Sequence, residues 1–386
     1  MQPFLEAWRH KKRRYWAPLY LRGLLLPGER KSIEPLAARV APGHDQELRH
    51  FVSESAWDED EIERVLWDRA DEMLGGEDAY LIIDDTALPK KGAESVGVAH
   101  QYCGALGKQA NCQSLVSLTL ATDEVPLPVS LRLYLPEAWA ADKERRAKVG
   151  VPEELTFRPK WRIALDEVRQ LRKHGIRFGT VLADAGYGVC AEFRHGLTEQ
   201  GLLWAVGIIS EQKLYPVNAR SRMPRARVTG PRRVRALPTH TRRSAKEIIM
   251  RRGEKAWRRI SWRDGTKGPL EAEFIAVRVR AADGPETRDR VHLPGDQAWL
   301  VAERRHTGET KYYLTNHPAS ASLKTLATAI KARWSCEQAH QQLKEELGLD
   351  HFEGRTWRGL HRHALMTLIC FAFLQQERLR ENKTAA

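Results

Sequence analysis

Apolar positions in the first 75 residues recur at helical spacing. In 33–40 (IEPLAARV) they fall on one helical face, and Pro42 and Gly43 end the run. A second helix fits 45–53 (DQELRHFVS). A third starts after Trp57, with Asp58 as N-cap and acidic residues in its first turn. Two short helices joined by a Pro-Gly turn fit either a helix-turn-helix that enters DNA or an ordinary small bundle.

From residue 79 the period changes. AYLIID (79–84) is a short apolar run ending in acid, and SLVSLTLAT (114–122) and LPVSLRLYL (127–135) alternate; together they predict three strands in a meander. A charged linker (140–157) leads to a helix over about 158–174. TVLAD (180–184) predicts a strand, 189–200 a helix and LLWAVGI (202–208) another strand. This order suits a mixed sheet with helices against its faces, an α/β fold. Three further strands are predicted at 271–281, 297–305 and 312–316. A single long helix is predicted from Ser322 to about Leu347, stopped by Gly348, and a last apolar helix over 358–378.

Charge adds a location. The chain carries a net +13, and residues 211–260 hold sixteen Lys and Arg against three Glu, which accounts for the whole excess. A localised basic stretch between strand patterns is the electrostatic footprint of phosphate binding, weighed against a plain solvated face. No run is apolar enough to span a membrane, and the N-terminus lacks the pattern of a secretory signal, so a cytoplasmic protein is expected. Five cysteines without a C-x-x-C pair argue against a disulfide framework or a thiolate zinc site.

Three acidic positions carry the candidate chemistry. Arg333, Glu337, His340 and Lys344 share one face of the long predicted helix, in line with the apolar Leu326 and Ile330. Asp84 and Asp85 end one predicted strand and Asp184 ends another, where functional groups of α/β sheets gather. Each position alone also has an ordinary reading, a turn or cap residue or an i,i+4 ion pair. Together, two strand-end carboxylates and one helix-face carboxylate can converge. Such a trio stays ionised only if cations neutralise it, and all-oxygen ligands suit Mg²⁺ or Mn²⁺. Two such ions clamp an in-line phosphoryl displacement. A glycosidase with paired carboxylates fits poorly beside so many cations.

These residues resemble a known family. Arg333, Glu337 and Lys344 match the Tyr-x2-Arg-x3-Glu-x6-Lys signature of DDE transposases from bacterial insertion sequences, with Ile330 at the Tyr position. IIDDTALPKKGAESVGVAHQYCGALGKQANCQ (82–113), VLADAGYG (181–188) and EELGLDHFEGRTWRGLHRH (345–363) resemble the segments around the first Asp, around the second Asp and after the Glu. The resemblance covers roughly residues 20–375 and implies a ribonuclease-H-like fold interrupted by a β-rich insertion, consistent with the 153 positions between Asp184 and Glu337. The implied domains are an N-terminal helical DNA-binding domain (1–75), a first catalytic part (76–209), a basic insertion (210–318) and a second catalytic part (319–386).

The resemblance implies Asp85, Asp184 and Glu337 as catalytic metal ligands. Asp85 is preferred over Asp84 because it directly precedes Thr86. Mg²⁺ or Mn²⁺, as two ions, is the implied cofactor. Arg333 and Lys344 are implied DNA contacts; Lys90, Lys91, Lys108 and His340 are further candidates, and Trp334 is expected in the core. The implied partners are double-stranded DNA, as terminal inverted repeats and target, and a second copy of the chain in the DNA complex. The implied activity is cutting and joining of an element's ends. Two alternatives stay open: an inactive DNA-binding regulator derived from such an enzyme, and another nuclease of the same fold.

Overall fold

The computed structural model describes residues 2–122, 125–223, 236–265, 268–287 and 291–385. It contains two compact units: Met1–Gly179 with Trp334–Ala386, and Thr180–Arg333.

The first unit opens with five helices: α1 (Gln2–Ala7), α2 (Lys11–Leu25), α3 (Ile33–Val40), α4 (Asp45–Ser53) and α5 (Glu59–Leu74). Asp58 caps α5 as expected, accepting the Asp60 N–H at 3.0 Å, and Glu59, Asp60 and Glu61 follow in the first turn. The face of α5 that carries Ile62, Leu66, Ala70 and Leu74 is buried, and Trp67 donates its indole N–H to Val129 O (2.9 Å).

Four strands follow: β1 (Gly76–Pro89), β2 (Ala99–Cys103), β3 (Lys108–Ala121) and β4 (Pro126–Leu133). β3 pairs antiparallel with β1 along one edge, and with β2 and then β4 along the other. The meander is as expected, but β2 lacks a sequence signal. Its pattern of exposed and half-buried residues in a polar, glycine-bearing segment reads as a loop, and only pairing with Lys108–Cys112 makes it a strand. The expected linker folds into α6 (Glu137–Ala141) and α7 (Lys143–Val149), the latter capped by Asp142. α8 (Lys160–His174) closes this part.

The second unit begins within β5 (Phe178–Ala183), followed by α9 (Ala185–Gly188), α10 (Ala191–Glu199) and β6 (Leu203–Ile208). Then come β7 (Lys213–Pro216), β8 (Ser221–Arg222), β9 (Leu237–Pro238), β10 (Arg243–Ser244), α11 (Ala245–Met250), β11 (Arg258–Gly265), β12 (Gly268–Ala281), β13 (Gln297–Arg304), β14 (Thr310–Thr315) and α12 (Leu323–Ala332). Its sheet runs β10-β7-β12-β13-β14-β6-β5, with β11 on β12; β5 and β6 are parallel and the other pairs antiparallel. This is the expected mixed sheet. Part of the basic stretch, residues 224–235, lies outside the described residues.

The chain re-enters the first unit with α13 (Trp334–Glu345) and α14 (Trp357–Ala385). The single helix expected from Ser322 is therefore two. Ser322 does cap α12, accepting the Thr325 N–H at 3.0 Å. Arg333 keeps helical dihedrals, but the hydrogen-bonded ladder stops there. The pattern runs through the break because each half is amphipathic on its own; α12 buries Leu326 and Ile330, and α13 buries Cys336, Ala339, His340 and Leu343. In α14 the buried Arg362 donates to Ser55 O (2.5 Å), Trp57 O (2.7 Å) and Glu59 (2.5 Å), tying the helix to the N-terminal bundle. Those partners compensate a burial that pushes the Arg362 guanidinium down to about 10.

Candidate active site

Asp84 and Asp85 are neighbours on β1, so their side chains leave opposite faces of the strand. Which helix covers each face follows from the register. Asp84 is opposite Ser117 on β3, and Asp85 is opposite Val116. Directly opposed residues share a face. On the Asp84–Ser117 face lies α13: Cys336 donates its thiol to Asp84 Oδ2 (3.4 Å), and His340 Nε2 is 2.8 Å from Ser117 Oγ. On the Asp85–Val116 face lies α8. Lys160 Nζ is 2.6 Å from Asp85 Oδ2, and Glu167 accepts from Ser130 Oγ (2.6 Å), the residue opposite Leu118.

Glu337 follows Cys336 on α13 and is exposed. Asp84, half-buried, accepts the Asp85 backbone N–H through Oδ1 (2.8 Å). The helix that bears Glu337 thus packs on the face of β1 that presents Asp84, whereas Asp85 is turned to the other face and paired with a lysine.

In the second unit, Asp184 stands at the end of β5 and caps α9. Its Oδ1 accepts the N–H groups of Gly186 (2.9 Å) and Tyr187 (3.3 Å). The glycines around it are steric: a Cβ on Gly188 would lie 2.0 Å from Gly207 O, and one on Gly207 would lie 2.8 Å from Ala185 N. The short helix after Asp184 therefore sits close on β6.

The other expected contacts divide. Lys91 and Lys108 are exposed and Lys344 is half-buried. Lys90 reaches Phe352 O (2.7 Å) and Asp350 O (3.5 Å), and burial lowers its pKa; its amine serves to hold the 350–352 turn. His340 is 6% exposed and engaged with Ser117, so the expected DNA contact does not suit its position. Trp334, expected in the core, is 38% exposed, because the buried face of α13 begins with Ser335 and Cys336. Arg333 stands at the junction that ends α12, half-buried. Ile330, at the signature's Tyr position, is buried in the second unit.

Sequence reasoning missed Cys336, Ser117 and Lys160. Ser117 is one hydroxyl in an apolar run and Lys160 one cation in a basic helix, so neither stands out. Cys336, one residue before the acid, had a signal only in its adjacency to Glu337.

Among the described residues no group of three or more His, Cys, Asp and Glu forms a ready cage for a metal. Donor chemistry is the remaining test. Asp84 on β1 and the exposed Glu337 on the helix packed over it are hard carboxylates, a donor type suited to Mg²⁺ or Mn²⁺. The five cysteines form no disulfide, and no described helix is long and apolar enough to cross a membrane.

Comparison with known proteins adds the family. A family model described as DDE superfamily endonuclease matches residues 3–269. The chain is 30% identical over 183 residues to a probable transposase for insertion sequence element IS701 from Microchaete diplosiphon. That match covers 47% of this chain and 45% of the relative, so the chain matches less than half of that protein's length. Among solved structures, a piggyBac transposase synaptic complex with hairpin DNA overlaps 97% of this chain and 67% of that one, with a TM-score of 0.44 and 10% identity. A Drosophila P element transposase strand transfer complex overlaps 50% of this chain and 37% of that one, with a TM-score of 0.23 and 12% identity.

Proposed function

The chain belongs to the DDE superfamily endonucleases, and from that premise we propose that it is a transposase that cuts and joins the ends of its own insertion sequence. The observation that carries the reading is the placement of Glu337's helix on the face of β1 that presents Asp84. We propose Asp84, Asp184 and Glu337 as the three carboxylates. Asp84 replaces Asp85 because Asp85 faces α8 and is paired with Lys160.

Two divalent ions, when bound, would supply a Lewis-acid clamp for phosphodiester hydrolysis and strand transfer. The chain's own contribution is to hold the carboxylates anionic and in place. Cys336 donates a neutral hydrogen bond to Asp84, which leaves its charge intact. Asp184 is held by two backbone N–H groups, which favour its ionised form. Arg333 and Lys344, with the exposed Lys91 and Lys108, are suited to phosphates: the arginine fork binds bidentately and lysine acts as a point charge. The basic residues of 211–260 extend that reading to duplex DNA, and two ends cut together would call for a second copy of the chain.

The test is strand cleavage of DNA carrying the inverted repeats that flank the gene, with Mg²⁺ or Mn²⁺, comparing wild type with Glu337→Ala. Cuts at the repeat ends that vanish in the variant support the reading. Tight end binding without cuts favours a DNA-binding regulator. Cleavage of any hybrid or branched substrate without preference for these ends favours a different nuclease.

A further inference from the structure

We infer that Cys336 and His340 are positioning residues that fix the spacing of Asp84 and Glu337; the inference rests on the reading of these two acids as metal ligands. Cys336 and His340 stand four residues apart on α13, one above the other on one helix face. Asp84 and Ser117 stand directly opposite each other on adjacent strands. The helix pair grips the strand pair: Cys336 Sγ to Asp84 Oδ2 at 3.4 Å, His340 Nε2 to Ser117 Oγ at 2.8 Å.

Two grips differ from one in what they fix. A single contact leaves a helix able to roll and pivot about it. Two contacts a turn apart, onto two different strands, set its roll and its height together. Glu337 is the residue that suffers from roll, because it sits beside Cys336 at the edge of the gripped face. Side chains extend about 5–6 Å from a helix axis, so a roll of roughly 10° moves the carboxylate about 1 Å. A misplacement of about 1 Å can cost about a hundredfold in rate.

The chemistry of the grips fits the same purpose. Cys336, His340 and Ser117 are all buried, which removes them from reach of DNA. The grip on Asp84 is a thiol, a weak neutral donor that orients a carboxylate without consuming its charge. On the other face, Asp85 is met by a lysine in an ion pair.

The experiment uses the full chain. Binding of Mn²⁺ is titrated by the loss of the free-ion paramagnetic resonance signal, and melting temperature and end-DNA binding in EDTA are measured beside it. The variants are Ser117→Ala, Cys336→Ala, Cys336→Ser and His340→Gln. Loss of either grip, in Ser117→Ala or Cys336→Ala, is expected to weaken Mn²⁺ binding by about tenfold or more. Cys336→Ser keeps a donor and His340→Gln keeps a group that reaches Ser117, so both should recover most of the affinity. DNA binding in EDTA should not change in any of them. Mn²⁺ affinity unchanged in both Ser117→Ala and Cys336→Ala overturns the proposal, and a lower melting temperature in them would then mark the contacts as packing only. Loss of DNA binding in His340→Gln with unchanged Mn²⁺ affinity overturns it in favour of a DNA contact. Mn²⁺ binding that survives Asp84→Asn overturns the metal reading itself, and the positioning proposal with it.

Discussion

The two faces of β1 meet neighbours of opposite character. Asp84 faces α13 and receives a thiol; Asp85, one residue on, faces α8 and receives an ammonium group. Adjacent carboxylates thereby meet different neighbours. Asp85 would have to give up Lys160 before taking a metal ion, a competition that the thiol on Asp84 does not itself impose. Chemical type alone does not choose between them; the helix packed on each face does.

The largest break in this comparison should come from Asp84→Asn. Metal-dependent cleavage is expected to fall by about three orders of magnitude, the loss that follows when several kcal/mol of metal-borne stabilisation is removed. Melting temperature should change little, because Asn keeps the size and the hydrogen-bonding edge. Asp85→Asn should cost no more than about tenfold, since the pair with Lys160 is partly exposed and such pairs contribute little. Single-turnover cleavage of the same end DNA checks both.

Smaller effects should separate the lysines. Lys344→Ala is expected to weaken end binding and to lower the slope of log affinity against log salt by about one. Lys90→Ala should leave that slope alone and lower the melting temperature, because its amine holds the carbonyls of Asp350 and Phe352. Fluorescence anisotropy across a salt series, with thermal melts, distinguishes the two. A salt slope that falls in Lys90→Ala would return it to the DNA surface.

A separate effect is one of pH on stability. Burial holds His361 and His363 down at about 4, against an ordinary 6.5. The unfolded chain therefore binds more protons than the folded one between these values. Stability should be full above about pH 6.5 and fall as pH drops toward 4, with little further change from these groups below that. His363→Gln should flatten part of this slope in melts across the pH range; a slope unchanged by the substitution would contradict the assignment.

Much of the fold was legible because period and turn chemistry act locally. Asp58 and Ser322 announced helix starts that the structure keeps, and the alternation in 114–122 and 127–135 announced β3 and β4. β2 was hidden because its strand character comes from its partner. The break at Arg333 was hidden because both halves carry helical spacing and the change of packing partner leaves no mark on it. The acids were legible as candidates, but not their setting: β1 runs on to Pro89, so Asp84 and Asp85 lie within the strand, and only Asp184 stands at a strand end. Which neighbours Asp84 and Asp85 meet was hidden, since a position before Thr86 says nothing about which helix will cover which face. The burial of His340 was hidden for a related reason: a helix face shared with Glu337 does not show its register against Ser117.

Asp84, on the α13 face, is the proposed catalytic acid in place of Asp85. The most direct test is Mn²⁺-dependent cleavage of inverted-repeat DNA by wild type, Asp84→Asn and Asp85→Asn in parallel. Cuts at the repeat ends are expected with wild type and Asp85→Asn, and none with Asp84→Asn. Cleavage retained by Asp84→Asn and lost in Asp85→Asn would contradict that assignment.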